Sequence, residues 1–411
     1  MKYIPVSGKV FDDEEINNLI KAAKDGWWTE GRFAKQFEND FKKYLGINFV
    51  SLVNSGSSAN LVALYSLTSS VFGNRQLKPG DEFITTPVAF PTTVNPGIMY
   101  GLKPVFIDVK LDTLNIDAEQ IEKAITKKTK LIMIAHTLGK PFDLEKIMRI
   151  VKKYNLWLIE DSCDALGSRY KNKLVGTFGD IATFSFYPAH QITMGEGGAL
   201  VTNNSLIHRS IRQFRDWGRD CLCDTGKDDT CKKRFKWKMG ELPYGYDHKY
   251  IYSQIGFNLK LTDFQAAIGV AQLKKLPLFI KKRRINYQKF YQFFEKYSSY
   301  FILMENNSQE KISYFGFPVI VREDAPFTRN EITEYLESKK IGTRNIFSGN
   351  LLHHPAYINI KKSIKVVGSM INSDIIMNQA FWLGVYPGIG EKEIEYIKKT
   401  IKLFIDNKGN K

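Results

Sequence analysis

The sequence predicts an α/β protein with a large, mostly parallel sheet and a smaller C-terminal α/β unit. Three observations predict it. Between about residues 48 and 205, short apolar runs alternate with helix-period segments, the pattern of a sheet built from strand, helix and strand crossovers. An apolar run at 49–53 leads into the small, hydroxyl-rich Asn54-Ser55-Gly56-Ser57-Ser58-Ala59, which opens a helix. Another at 156–159 ends in Glu160-Asp161, an acidic pair at the carboxyl end of a strand, where α/β proteins place their ligands.

Taken in order, strands are expected at 83–87, 104–109, 131–135, 156–160, 181–186 and 199–202, each an apolar run bounded by turn formers. Helices are expected at 59–70, 117–124 and 144–154, where apolar residues recur at intervals of three and four. Residues 215–254 read as a loop that carries three of the four cysteines. A helical pattern then runs from 263 to about 300, followed by a strand at 314–321, a helix at 330–338 and a closing amphipathic helix at 391–407. The domain boundary is placed inside the long helix, dividing 1–275 from 276–411.

With 43% hydrophobic and 25% charged residues among 411, the chain can bury a sizeable core, which excludes disordered and fibrous classes. No apolar run approaches the 18 or so residues of a membrane span, and the start runs into Asp12-Asp13-Glu14-Glu15 without a signal-type stretch. A cytoplasmic protein is expected. The net charge of +16 comes from lysines spread over the whole chain, with no nucleic-acid motif beside them, so nucleic acid is not an expected partner.

The segment around Gly56 and Ser57 is an anion cradle or a plain helix cap. Ser185, ending a strand, offers a second phosphate donor, and Asp161 can pair with a protonated ring nitrogen or simply cap. These segments come in the order phosphate loop, Thr86-Pro87-Val88-Ala89-Phe90, Glu160-Asp161, then Ser185-Phe186-Tyr187-Pro188-Ala189-His190-Gln191-Ile192-Thr193-Met194-Gly195-Glu196-Gly197-Gly198. In that order the chain resembles the DegT/DnrJ/EryC1/StrS sugar aminotransferase family over nearly its whole length. The resemblance implies the aspartate-aminotransferase (type I) fold of pyridoxal-phosphate-dependent transferases. It implies that Gly56, Ser57 and Ser185 hold the cofactor phosphate, that Phe90 stacks on the ring and that Asp161 pairs with its nitrogen. Asn258 matches a position that reaches the phosphate of the neighbouring subunit, which implies a homodimer.

One position departs from that pattern. The family's aminotransferases carry a Schiff-base lysine where this chain has His190. Imidazole cannot form that linkage, so the cofactor is expected untethered, as pyridoxamine phosphate. A neutral histidine can still take a proton. The reaction expected is proton abstraction at the cofactor C4′ carbon with loss of the C3 hydroxyl of a 4-keto sugar. A packed core histidine or a decayed site is the competing reading.

The cysteines are Cys163, then 57 residues to Cys221, one to Cys223 and seven to Cys231. Disulfides are unexpected in a cytoplasmic protein, so the four suggest a zinc or iron–sulfur site, or unrelated buried thiols. The spacing is similar to that of one branch of the family, the CDP-4-keto-6-deoxy-D-glucose 3-dehydratases, and so are Ala135-His136-Thr137-Leu138-Gly139 and Asp164. That branch implies a 2Fe-2S cluster on the four cysteines and a flavin and iron–sulfur reductase partner, in 3,6-dideoxyhexose formation for lipopolysaccharide O-antigen. Arg212, Arg215, Arg219, Lys227, Lys232, Lys233 and Arg234 flank the cysteines and could offset cluster charge, attract an acidic reductase or only be solvated.

Arg344, in Thr343-Arg344-Asn345, is the candidate for a nucleotide diphosphate. His136, His353 and His354 have no derived role, and Trp27-Trp28 read as core packing before a pocket lid. The expected activity is a nucleotide-sugar 3-dehydratase. A GDP- or dTDP-sugar dehydratase, a sugar aminotransferase and a non-catalytic sugar sensor are the alternatives.

Overall fold

The computed structural model describes residues 2–305 and 307–409. Its centre is an eight-stranded sheet whose strands lie in the spatial order Phe49–Val53, Gly198–Thr202, Ile181–Ser185, Trp157–Asp161, Thr129–Ala135, Glu82–Thr85, Lys103–Ile107 and Lys365–Val367. Only Gly198–Thr202 runs against the others. Both faces are covered, so successive side chains of one strand enter different cores. Leu131 and Met133 join Phe83, Phe106 and Ile159 on one face, while Ile132 and Ile134 join Ile84, Val105 and Leu158 on the other.

The expected strands are found with shifted ends, and the shifts have local causes. The strand at 82–85 stops before Pro87, which has no N–H to give a ladder. The helix after the first strand begins at Gly56, three residues early, because Ser55 accepts the Ser58 N–H as its N-cap. Residues 117–124 form a 3₁₀ turn and a four-residue helix, tightened where Asp117 accepts the Glu119 N–H. In the C-terminal unit the strand starts at Gly316, not at Tyr314, because Arg283 takes the carbonyls of Tyr314 and Phe315.

The helix Asp263–Phe294 contributes to the cores of both units, with Pro277 inside it and a Thr262–Gln265 capping box at its start. Beyond it, Phe301–Leu303, Gly316–Val321 and Ala380–Gly384 form an antiparallel sheet. The helices Arg329–Ser338 and Glu391–Gly409 cover it over a core of Phe290, Phe317, Leu336 and Ile401. Backbone pairings join this unit to the rest: Glu310–Lys311 pairs with Arg169–Tyr170, and two more follow. Ile4 pairs with Ile341, and Lys365–Val367 becomes the edge strand of the large sheet beside Val105–Ile107.

Between Arg215 and Thr262 the chain has only one 3₁₀ turn, His248–Tyr250. Charged contacts hold it: Arg234 to Asp247 at 2.5 Å and Asp220 to His248 at 2.8 Å. Among the described residues no helix is long and apolar enough to cross a membrane.

Candidate active site

At the carboxyl ends of the central strands a cavity of about 930 Å³ opens between the large sheet and the C-terminal unit. Gly56, Ser57, Phe90, Asp161, Ser185, His190 and Arg344 all line it, as do Cys163 and Asp164. Asn258 does not. It accepts a hydrogen bond from Lys260, and its backbone pairs with Asp216.

Asp161 is fixed from three sides. Oδ2 accepts from Asn60 Nδ2 at 2.8 Å and from Thr93 Oγ1 at 2.7 Å, and Oδ1 accepts the Cys163 N–H at 3.1 Å. Asn60 is in turn set by Thr183, whose hydroxyl donates to its Oδ1 at 2.6 Å. Such a shell holds a carboxylate in one orientation, the requirement for pairing with a protonated ring nitrogen. Asn60 and Thr93 were not singled out in the sequence. Their signal is a buried polar residue on a crossover helix.

Gly56 stands where a side chain would not fit: a Cβ there would lie 2.5 Å from Ser185 Cβ and 3.2 Å from Cys163 Sγ. Gly198 is needed for the same reason, since a Cβ would collide with the Ser55 carbonyl. These two close approaches leave the N-terminus of the 56–66 helix open toward Ser185, a cradle suited to phosphate. Phe90 is 55% exposed at the mouth, with its ring free to stack.

His190 carries no N–H of an amine, and among the described residues no lysine lines the cavity. Its Nδ1 is 3.5 Å from Asp164 Oδ1, and its ring lies 5.2 Å from that of Phe315 at 48°. Burial, aided by the charge of Arg283, pushes the imidazole down to about 3. Burial and the charge of Asp161 push Asp164 up to about 8. Burial thus favours the neutral form of both side chains.

The four cysteines line two pockets. Cys221, Cys223 and Cys231 share a small pocket with Arg234, His248 and Lys249, while Cys163 lines the large cavity. No group of three or more His, Cys, Asp or Glu among the described residues is arranged to hold a metal. Sequence spacing could not separate the two places, because Asp220–His248 and Arg234–Asp247 hold the loop where it is. Burial and the neighbouring Asp161 keep the Cys163 thiol well above its usual range, hence protonated. Burial raises Cys223 as well, but the Thr230 hydroxyl, 3.0 Å from its sulfur, and other hydrogen bonds bring it below the ordinary value.

Other candidates settle into structural roles. His136 is fully buried, stacked on Phe142, with Nε2 3.1 Å from Glu160 Oε2. Glu160 also accepts the N–H groups of Gly176 and Phe178, so the two acids of Glu160-Asp161 face different tasks. His353 pairs with Asp374 at the surface, and His354, at 2.8 Å from the Ser348 carbonyl, reaches the cavity wall. Arg215 is not a surface cation: it is buried against Glu30 and Asp216. Trp27 and Trp28 are exposed by 46% and 59% and so are neither core nor lid; Trp27 lines a separate cavity with Glu30 and Arg215.

This sheet order, with a pinned carboxylate at a central strand end and a small C-terminal unit closing the cavity, defines an α/β protein of the pyridoxal-phosphate-dependent aminotransferase fold. Residues 9–402 match the model of the DegT/DnrJ/EryC1/StrS aminotransferase family, and the chain belongs to that family. It is 50% identical to the lipopolysaccharide biosynthesis protein RfbH of Salmonella typhimurium, over 98% of this chain and 91% of that protein. It is 45% identical to the dTDP-4-dehydro-2,6-dideoxy-D-glucose 3-dehydratase of Saccharopolyspora spinosa, over 97% of this chain and 86% of that protein. Among solved structures, E. coli GDP-4-keto-6-deoxy-D-mannose-3-dehydratase with bound hydrated PLP superposes with a TM-score of 0.85, at 29% identity, covering 97% of this chain and 100% of that one.

Proposed function

We propose that the protein is a nucleotide-sugar 3-dehydratase that removes the C3 hydroxyl of a 4-keto-6-deoxy sugar, with pyridoxamine phosphate as cofactor. The observation that carries this reading is an imidazole, His190, in a cavity that no lysine lines among the described residues. When bound, the cofactor would supply an amine for the sugar ketone and a ring that can take up electrons. The chain does the rest. Gly56, Ser57 and Ser185 bind the phosphate, Phe90 covers the ring and Asp161 holds the proton on its nitrogen. His190 takes the proton from C4′, and the neutral Asp164 beside it is a proton source for the departing hydroxyl. Arg344, exposed at the cavity wall, meets the diphosphate.

The similarity to the two dehydratases supports this reading over amine transfer, and CDP-4-keto-6-deoxy-D-glucose is the substrate we assign. The working form is a cytoplasmic homodimer in which Asn258 serves the partner's cofactor, and a flavin and iron–sulfur reductase completes the deoxygenation. A 2Fe-2S cluster on Cys163, Cys221, Cys223 and Cys231 has the sequence spacing in its support, and no step here passes through it. Visible absorption after anaerobic reconstitution with iron and sulfide tests it.

The function itself is tested by incubating the protein with pyridoxamine phosphate and CDP-, GDP- or dTDP-4-keto-6-deoxy sugars in deuterated water. Exchange at C4′ and loss of the C3 oxygen are expected, and His190→Asn should bind cofactor yet lower both by about a thousandfold. Glutamate-dependent amine transfer to the sugar would establish an aminotransferase instead, and absence of any exchange a sensor.

A further inference from the structure

An exposed aromatic ring is aimed mainly by its backbone, because little packs against it. Phe90 is 55% exposed and is the N-cap of the helix Pro91–Tyr100, with no side-chain hydrogen bond at that cap. Its carbonyl accepts the Thr93 N–H at 3.0 Å, and the Thr93 hydroxyl donates to Asp161, so one helix start sets both residues. The turn that leads into it, Pro87-Val88-Ala89, is seated in the C-terminal unit. Val88 is 1% exposed and shares a core with Phe315, Ile346 and Trp382. Around it, the Ser348 hydroxyl lies 2.7 Å from the Ala89 carbonyl oxygen and 3.0 Å from that of Pro87, and the Leu351 N–H donates to the Pro87 carbonyl at 3.1 Å.

Ser348 is itself held in place. Its carbonyl accepts the Asn350 N–H at 2.7 Å and His354 Nε2–H at 2.8 Å. It stands between two left-handed residues, Phe347 at φ 45° and Gly349 at φ 65°. A bulky residue adopts that region at a cost and keeps it only where its surroundings impose it. Met377 closes the turn from behind, since a Cβ on Gly349 would lie 2.7 Å from its Cα. A hydroxyl has one proton to give, and here it is shared between the carbonyls on either side of Val88. That sharing fixes the plane of the turn just before Phe90.

We propose that Ser348 is a positioning residue for Phe90: by clasping the Pro87–Ala89 turn it sets the direction in which the Phe90 ring enters the cavity, and through it the affinity for pyridoxamine phosphate. The inference rests on the reading of Phe90 as the cover of the cofactor ring. It also gives His354 a task, as the brace of the clasp from the cavity wall. A clasp that only fastened the two units together would change stability without acting through Phe90.

The test titrates the full chain with pyridoxamine phosphate and no sugar, following the near-ultraviolet circular dichroism of the bound cofactor. Ser348→Ala should weaken binding by about fivefold to thirtyfold and alter the dichroism at saturation, whereas Ser348→Thr, which keeps the hydroxyl, should stay within about twofold of the parent. In a Phe90→Ala background, Ser348→Ala should cost no more than about a further twofold, because the ring it aims is gone. Unchanged affinity in Ser348→Ala, a loss in Ser348→Thr as large as in Ser348→Ala, or full additivity with Phe90→Ala overturns the proposal. Should Ser348→Ala not fold, Ser348→Val takes its place against Ser348→Thr, by the same criteria. Parent-like binding in Phe90→Ala alone refutes the reading of Phe90 as the ring cover, and the proposal with it. If the cycle runs as expected but the unmodified protein dehydrates no sugar, the dehydratase reading fails and the role of Ser348 stands.

Discussion

The strand end that carries Asp161 and the segment between Arg215 and Thr262 are both rich in charge, yet they are held in different ways. At the strand end the polar groups around Asp161 have partners set by the sheet or a crossover helix, as in the Thr183, Asn60 and Asp161 chain. In the segment, side-chain ion pairs replace the backbone ladder, and several of them are half exposed. Three of the four cysteines sit in the second setting and one in the first. A backbone ladder can hold a reacting geometry; surface ion pairs are worth about 0–1 kcal/mol each and let a segment move.

Where the two regions meet, the contrast breaks most sharply. Arg215 is buried on Glu30, with Nη1 to Oε1 at 2.6 Å and Nη2 to Oε2 at 3.0 Å, and on Asp216. Arg215→Met leaves Glu30 without its cation, and urea unfolding should show a loss of about 3–5 kcal/mol. Limited proteolysis should then cut first between 216 and 262. Cleavage confined to other loops would show that the segment does not depend on this anchor.

A second variant sharpens the strand-end side through pH. Asp164 is raised to about 8, so the folded state holds a proton that the unfolded state releases above its ordinary range near 3.8, and stability contributed by this group falls as pH rises between those values. His190, lowered to about 3, works in the opposite direction: stability falls as pH drops from about 6.5 toward 3. Thermal melts of cofactor-free Asp164→Asn should therefore show a stabilisation over the parent that grows from pH 5 to pH 8. A constant difference would mean that Asp164 is ionised throughout.

The smallest effect belongs to the loop. Cys231 is exposed and makes no ladder contact, so Cys231→Ser should change unfolding free energy by no more than about 0.5 kcal/mol. A larger loss in metal-free protein would show that the three-thiol pocket is packed in its own right.

Much of the strand-end side was legible in the sequence because periodicity and strand ends are local. The turn at Ser55-Gly56, the acid at Asp161 and the imidazole at His190 could each be placed by the strand beside them. What was not legible depends on chain segments far apart. Asn60 and Thr93 become ligands of Asp161 only after two crossovers, and Arg283 meets His190 across 93 positions. Cysteine spacing carries no information on which side of a loop each thiol will face, so the sequence did not show that Cys221, Cys223 and Cys231 line one pocket and Cys163 another.

The edge strand Lys365–Val367 has a bearing on how the molecule is made. Synthesis delivers the central sheet early, but its outer rim beside Lys103–Ile107 stays open until residues 365–367 have been made. Through that interval the nascent chain exposes a row of unpaired peptide groups, the feature that invites pairing with a neighbouring chain. The closing stretch thus serves as a late seal, and a product ending short of residue 365 would keep an adhesive border for its whole lifetime.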